Sequence, residues 1–210
     1  MKRIHGIAIS AALLVALAAC TPATPEPTAS KPTKPTVTAK PTLKPSPTPE
    51  VTLPPLAIPE CETLLPLAMA RDYFSENTEF LGEQPASEFV GRQSVASIPI
   101  VLSTASPARV CFWGIPNSDG LFFATVAGIT AAERATLQAD LTAAGYSSTT
   151  MGTVTAFELE GVNEVSSVGF THLFTGDAWI QCDGTSLGFS GAIAGQVLDV
   201  MRTANPALGL

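Results

Sequence analysis

A serine framed by glycines, a histidine in the chain's C-terminal half, two spaced glutamates and four cysteines are the residues here whose types could do chemistry. Gly184-Thr185-Ser186-Leu187-Gly188 fits the G-x-S-x-G pattern, in which a serine on a sharp strand-to-helix turn is presented as a nucleophile. The segment lies between a predicted strand and a predicted helix, as that use requires. The partner histidine of that arrangement follows the serine, however, and no histidine lies beyond residue 186. The pattern therefore reads as a flexible turn, with a nucleophilic Ser186 as the alternative. His172 shares a strand face with Val168, Phe170 and Phe174 by the two-residue period, which predicts a partly buried structural imidazole. A zinc site at His172 would need Cys182 or carboxylates as helpers, and no ligand spacing is visible. Glu158 and Glu160 fall on one strand face and could form an acid/base pair, but alternating charges on a strand commonly face water. Asn117-Ser118-Asp119-Gly120 resembles the start of a calcium loop and lacks the later bidentate glutamate. No phosphate loop, dinucleotide fingerprint or CxxC pair is present, so neither cofactor nor metal is expected.

The first cysteine has a different chemistry. Met1, Lys2 and Arg3 precede an apolar run from Ile7 to Ala19, broken only by Ser10. That run suits a secretion signal and falls short of the ~20 apolar residues of a membrane span. It ends in Leu17-Ala18-Ala19-Cys20, which resembles the bacterial lipobox. There the cysteine thiolate accepts a diacylglycerol, and cleavage before it frees an amine for a further acyl chain. Residues 1–19 are thus expected to be a signal peptide and Cys20 the lipidation site. One acyl chain anchors marginally and two anchor stably, at about 0.8 kcal/mol per buried methylene. The expectation is a protein held at the outer face of the cell membrane through lipid alone.

Residues 20–59 read as a tether. Lys-Pro-Thr recurs at 31–33, 34–36 and 40–42. Proline removes donors and fixes φ, and large apolar side chains are nearly absent, so an extended disordered spacer is expected. At about 3.1 Å per residue in polyproline II it could reach on the order of 100 Å. Its Thr and Ser residues could carry sugars.

The remaining cysteines are Cys61, Cys111 and Cys182, an odd number in an oxidising compartment. Cys61 opens the globular region, where a first helix needs fastening beside the tether. Cys111 precedes Phe112 and Trp113 in a predicted strand. A Cys61–Cys111 bridge is expected, leaving Cys182 as a buried free thiol; Cys61–Cys182 and Cys111–Cys182 stay open as competitors.

Residues 60–210 carry five arginines, no lysine and sixteen Asp and Glu, a net charge of −11. Such a surface repels nucleic acid and anionic lipid. A helix is predicted over 60–74 with a restart at Pro66, then strands over 109–115 and 121–129. Thr130-Ala131-Ala132-Glu133 is a capping box opening a helix that stops at Gly145. Strands follow over 153–160, 165–174 and 178–182, and a last helix over 190–204. Residues 75–108 show no clear element. The order predicts a single α+β domain with an antiparallel sheet and helices packed mainly on one face.

Cys61 to Leu65, Cys111-Phe112-Trp113-Gly114-Ile115-Pro116, Leu141 to Tyr146 and His172 to Ile180 together resemble a family of secreted actinobacterial lipoproteins without an assigned activity. The resemblance spans roughly Cys61 to Ile180 plus the lipobox. It implies secretion and lipid anchoring and brings no catalytic residue. A cysteine pair that some relatives carry after the central helix is missing here. The resulting expectation is a lipid-anchored, non-enzymatic binding domain for a cell-envelope ligand or protein. The alternatives are a small secreted hydrolase using Ser186 or His172, and an accessory that holds a membrane complex together.

Overall fold

The computed structural model describes residues 53–89, 95–162 and 167–210. The expected signal peptide, the expected lipidation site Cys20 and the expected tether up to Thr52 lie outside the described residues. From the N-terminus the elements are α1 (Cys61–Leu64), α2 (Leu67–Tyr73), β1 (Glu79–Gln84), a 3-10 turn (Ala86–Glu88), α3 (Ser97–Thr104), β2 (Ala108–Gly114) and β3 (Leu121–Gly128). Then come α4 (Ala131–Ala143), β4 (Ser147–Met151), β5 (Val154–Val162), β6 (Ser167–Thr175), β7 (Ala178–Gly184) and α5 (Leu187–Ala204). The strands form one antiparallel sheet in the order β1-β2-β3-β7-β6-β5-β4. The fold is α+β.

The long inner strands are apolar on both sides, and successive residues feed two cores. Phe122, Ala124, Val126, Ile180 and Cys182 face a layer made by α1, α2 and α5. Phe123, Ala127, Phe157, Phe174 and Trp179 face the opposite layer, covered by α3 and α4. More helix lies on the first face, as expected, but the second face has a cover of its own. In that cover Leu137 and Leu141 of α4 are fully buried, each contributing roughly 1.5–3 kcal/mol by removal from water. The capping box forms as predicted: Thr130 Oγ1 accepts from the Glu133 N–H, and Glu133 Oε2 accepts from the Thr130 N–H at 2.7 Å. The Thr130 N–H, and after it the Thr130 hydroxyl donating to Oε2, hold the Glu133 carboxyl below its usual range. Gly145 ends α4 at φ +90°.

Cys61 and Cys111 are joined in a disulfide with Cα atoms 5.6 Å apart, fastening α1 to β2. Cys182 is a buried free thiol. Arg109 clamps the same corner, bonding both carboxylate oxygens of Glu60 and also Glu83.

Three expectations need correction. The segment 75–108 holds both β1 and α3. A further strand, β4, follows α4; its first four residues are polar and all five are exposed, so it carries no hydrophobic pattern. The last residues assigned to the tether pack on the fold. Leu56 and Ile58 lie against the first core. The Asn205 side chain clasps Ala57, accepting its N–H and donating to its carbonyl, both at 2.8 Å. Two apolar side chains spaced by two and a buried amide clamp suffice to dock a segment that composition alone assigns to a spacer.

Candidate binding groove

Seven strands at about 4.8 Å spacing make a sheet roughly 29 Å wide, and a helix with its side chains covers about 10 Å of it. On the first face α5 lies over β6 and β7, while α1 and α2 lie toward β1 and β2. That leaves β4 and β5 beyond the far side of α5. The result is an open groove of about 470 Å³ between the sheet edge and the helix. Val154, Ala156 and Leu173 form its floor, Thr149 and Met151 its outer rim, and Gly191, Gly195 and Leu198 its helical wall. Met151 is 69% exposed, an apolar side chain left at the mouth.

The groove is charged only at its ends. Glu158 stands at one end beside Gly191, where a Cβ would make ordinary contact, 3.8 Å from Glu158 Oε1 and 3.9 Å from Thr171 Oγ1. Thr171 Oγ1 is held 2.9 Å from Ser190 Oγ, tying β6 to α5 at this point. Arg202 lines the other end, its Nε–H donating to the Leu210 carbonyl at 2.8 Å. Eleven helical positions separate Gly191 from Arg202, so the two residues lie about three turns apart along the helix. Sequence reasoning put Glu158 and Glu160 on a solvent face. Their face also carries Val154 and Ala156, and Glu158 belongs to the groove wall. A second hollow of about 390 Å³ lies where Pro55 and Leu56 cross Pro107 and Gly128. Its walls come mainly from connecting segments and the ends of α3, β3 and α4.

The predicted site residues are not brought together. Ser186 is the N-cap of α5: its Oγ accepts the Phe189 N–H at 3.2 Å, and its backbone is extended at φ −163° instead of a strained elbow. The neighbouring glycines serve packing. A Cβ on Gly184 would sit 1.9 Å from the Phe189 ring, and one on Gly169 would sit 2.1 Å from the Ser186 backbone. His172 lies on the other face of the sheet. It is fully buried, its ring parallel to that of Trp179 with centroids 6.0 Å apart, and Nδ1 accepts the Trp179 Nε1–H at 3.2 Å. Tyr146 meets it edge-on at 5.2 Å. Burial lowers the imidazole pKa to about 3, so the ring is neutral at ordinary pH.

Gln181 lies between His172 and Thr125 in the strand register, which makes a buried polar row across β3, β7 and β6. Asp183, next on this face of β7, accepts the Phe123 N–H at 3.1 Å. Burial, then the Asp183 charge, pushes the Tyr146 phenol up. The same two causes, in the same order, push the Cys182 thiol up. Sequence reasoning missed Gln181 and Asp183; polar residues in a strand otherwise apolar on both faces were the signal.

Asn117-Ser118-Asp119-Gly120 spends its side chains on a turn. Ser118 Oγ–H donates to the Ile115 carbonyl at 2.8 Å, and Oγ accepts the Gly120 N–H at 3.1 Å. Among the described residues, no group of three or more His, Cys, Asp and Glu side chains is placed to hold a metal, and no helix is long and apolar enough to cross a membrane. Comparison with protein-family models, curated proteins and solved structures finds nothing that matches this chain.

Proposed function

We propose that the chain is a lipid-anchored extracytoplasmic lipoprotein whose domain binds a ligand non-enzymatically in the groove between β4, β5 and α5. The groove carries this reading: an apolar trough with one carboxylate and one guanidinium at its ends has the makeup of a binding site, in which apolar walls give affinity and a few polar groups fix orientation. Gly191 and Gly195 let an extended, largely apolar ligand approach the α5 backbone. The lipobox at Cys20, the Lys-Pro-Thr tether and the resemblance to secreted actinobacterial lipoproteins support the anchoring. The hydrolase alternative needs Ser186 or His172, and these sit on opposite faces of the sheet, one capping a helix and one sealed in the core.

Gly195 supplies the test. A Cβ there meets no atom within 4 Å, so a Gly195→Leu side chain starts in open space at the groove wall and improves the helix. An environment-sensitive apolar dye should bind the native chain, and Gly195→Leu should lose that binding while unfolding at an equal or higher temperature. Dye binding that is absent in the native chain or unchanged in the variant rejects the groove. Strong fluorophosphonate labelling that Ser186→Ala removes would establish the hydrolase instead. Cys20→Ala should leave the detergent phase; a processed variant that still partitions with membranes rejects the lipid-only anchor.

A further inference from the structure

The sheet has two edges of opposite character. β1 is guarded: Glu79 and Glu83 lie along it, its pairing with β2 shifts between Phe80 and Gly82, and Glu83 is held by Arg109. Charges and bulges of this kind stop an edge from recruiting another strand. β4 has neither. It reads Ser147-Ser148-Thr149-Thr150-Met151, pairs with β5 without a register shift, and all five residues are exposed. Among the described residues no strand pairs with its outer side. It also lies in an uncharged run of seventeen residues, 141–157, within a region of net charge −11.

We propose that two copies of this chain pair antiparallel through β4, about a twofold axis at Thr149. Charge selects the partner. Two acidic domains repel at most approaches, and this neutral edge is where they meet at least cost. The register is also self-complementary. β4 and β5 are joined by a two-residue turn with Gly152 at φ +62°, and the closing pair of such a hairpin, here Met151 with Val154, exchanges its hydrogen bonds inward. Alternation then turns Ser147, Thr149 and Met151 toward β5, while Ser148 and Thr150 present their N–H and C=O groups outward. An antiparallel twin centred on Thr149 sets Ser148 against the second copy's Thr150 and Thr150 against its Ser148. Every outward group of the two pairs is then satisfied. Hydroxyl-bearing and β-branched residues meet across the seam, a favoured pairing.

The axis stands perpendicular to the sheet, so the grooves of both copies open on the same side. Thr149 and Met151 stop being a rim and become part of a floor running β5-β4-β4-β5, walled by α5 of each copy. The pairing does not depend on what the groove binds, and it stands or falls on β4 alone.

Thr149→Cys in the full chain, held in detergent and mildly oxidised, tests it. Facing residues of a non-hydrogen-bonded pair have Cα atoms about 4.5 Å apart, inside the roughly 4.4–6.8 Å that a disulfide spans. The expected result is a reducible covalent dimer for Thr149→Cys and a monomer for Glu79→Cys on the opposite edge. Equal crosslinking at the two edges, or none at either, overturns the pairing. Sedimentation of the unaltered chain needs no substitution at the seam: a dimer that Thr149→Lys converts to monomer, at an unchanged unfolding temperature, supports the pairing. A parent chain that sediments only as a monomer overturns it.

Discussion

His172 should make the domain acid-sensitive by a calculable amount. In the fold the imidazole is fully buried with its pKa lowered to about 3, while in the unfolded chain it titrates near 6.5. The unfolded state therefore binds the extra proton between these values, and stability falls as pH falls through 6.5. One proton gives a limiting slope of about 1.4 kcal/mol per pH unit. Between pH 7 and pH 5 the loss integrates to about 2 kcal/mol, a large share of the roughly 5–15 kcal/mol that holds a domain together. For this size of domain that lowers the unfolding temperature by about 4–8 °C. The sixteen Asp and Glu of the domain also titrate in acid, so the assay has to be a difference. His172→Gln cannot titrate there and keeps an oxygen that can accept the Trp179 Nε1–H. Urea unfolding of both proteins at pH 7, 6 and 5, followed by tryptophan fluorescence, isolates the imidazole. The native chain should lose about 2 kcal/mol relative to the variant from pH 7 to pH 5. A difference that stays flat over that range refutes the reasoning, because it means that His172 titrates alike in the folded and unfolded states.

Three further outcomes follow from packing. Asn205→Ala removes the clasp on Ala57 and a 2.8 Å bond to the Met201 carbonyl, and should cost roughly 2–3 kcal/mol and open residues 53–59 to limited proteolysis. Gly169→Ala drives a methyl into the Ser186 backbone and should cost about 3 kcal/mol or more, whereas Gly195→Ala, with open space around it, should gain about 1 kcal/mol; chemical denaturation of the pair checks the opposite signs. Replacing Cys61 and Cys111 together by alanine frees a loop of 50-residue separation and should cost about 4 kcal/mol in denaturant unfolding, with Cys182 still unreactive to thiol reagents until the domain unfolds.

Features written in local chemistry were legible in the sequence. The Thr130–Glu133 box and the Gly145 stop each depend on residues a few positions apart. The disulfide was legible because so few cysteines remain once Cys20 is set aside. Residues 97–104 hid a helix because Pro99 argues against one; it occupies the first turn, where a missing N–H costs nothing. β4 was invisible because its order comes from the ladder to β5 and not from any apolar side. Glu158 is half-buried at the end of an open groove, which alternation alone does not reveal. Alternation says which face a strand residue takes, but whether that face meets water, a helix or a groove depends on where α5 ends its cover, and no local signal carries that.

The distribution of titratable groups bears on binding against catalysis. A general base or nucleophile needs a pKa brought toward the working pH and a route to substrate. Here burial takes the His172 imidazole down to about 3 and the Cys182 thiol up, each away from that range and each inside the sheet's cores. The water-accessible groove holds a different inventory: aliphatic floor, glycine wall, and one charge near each end. The proposed binding draws on that inventory. The groove's floor is fixed by three paired strands, and its wall by an eighteen-residue helix tied to β6 through Ser190 and, at its C-cap Asn205, to Ala57. Rigidity of that kind lowers the ordering cost of binding, which is the physical ground for proposing a ligand there.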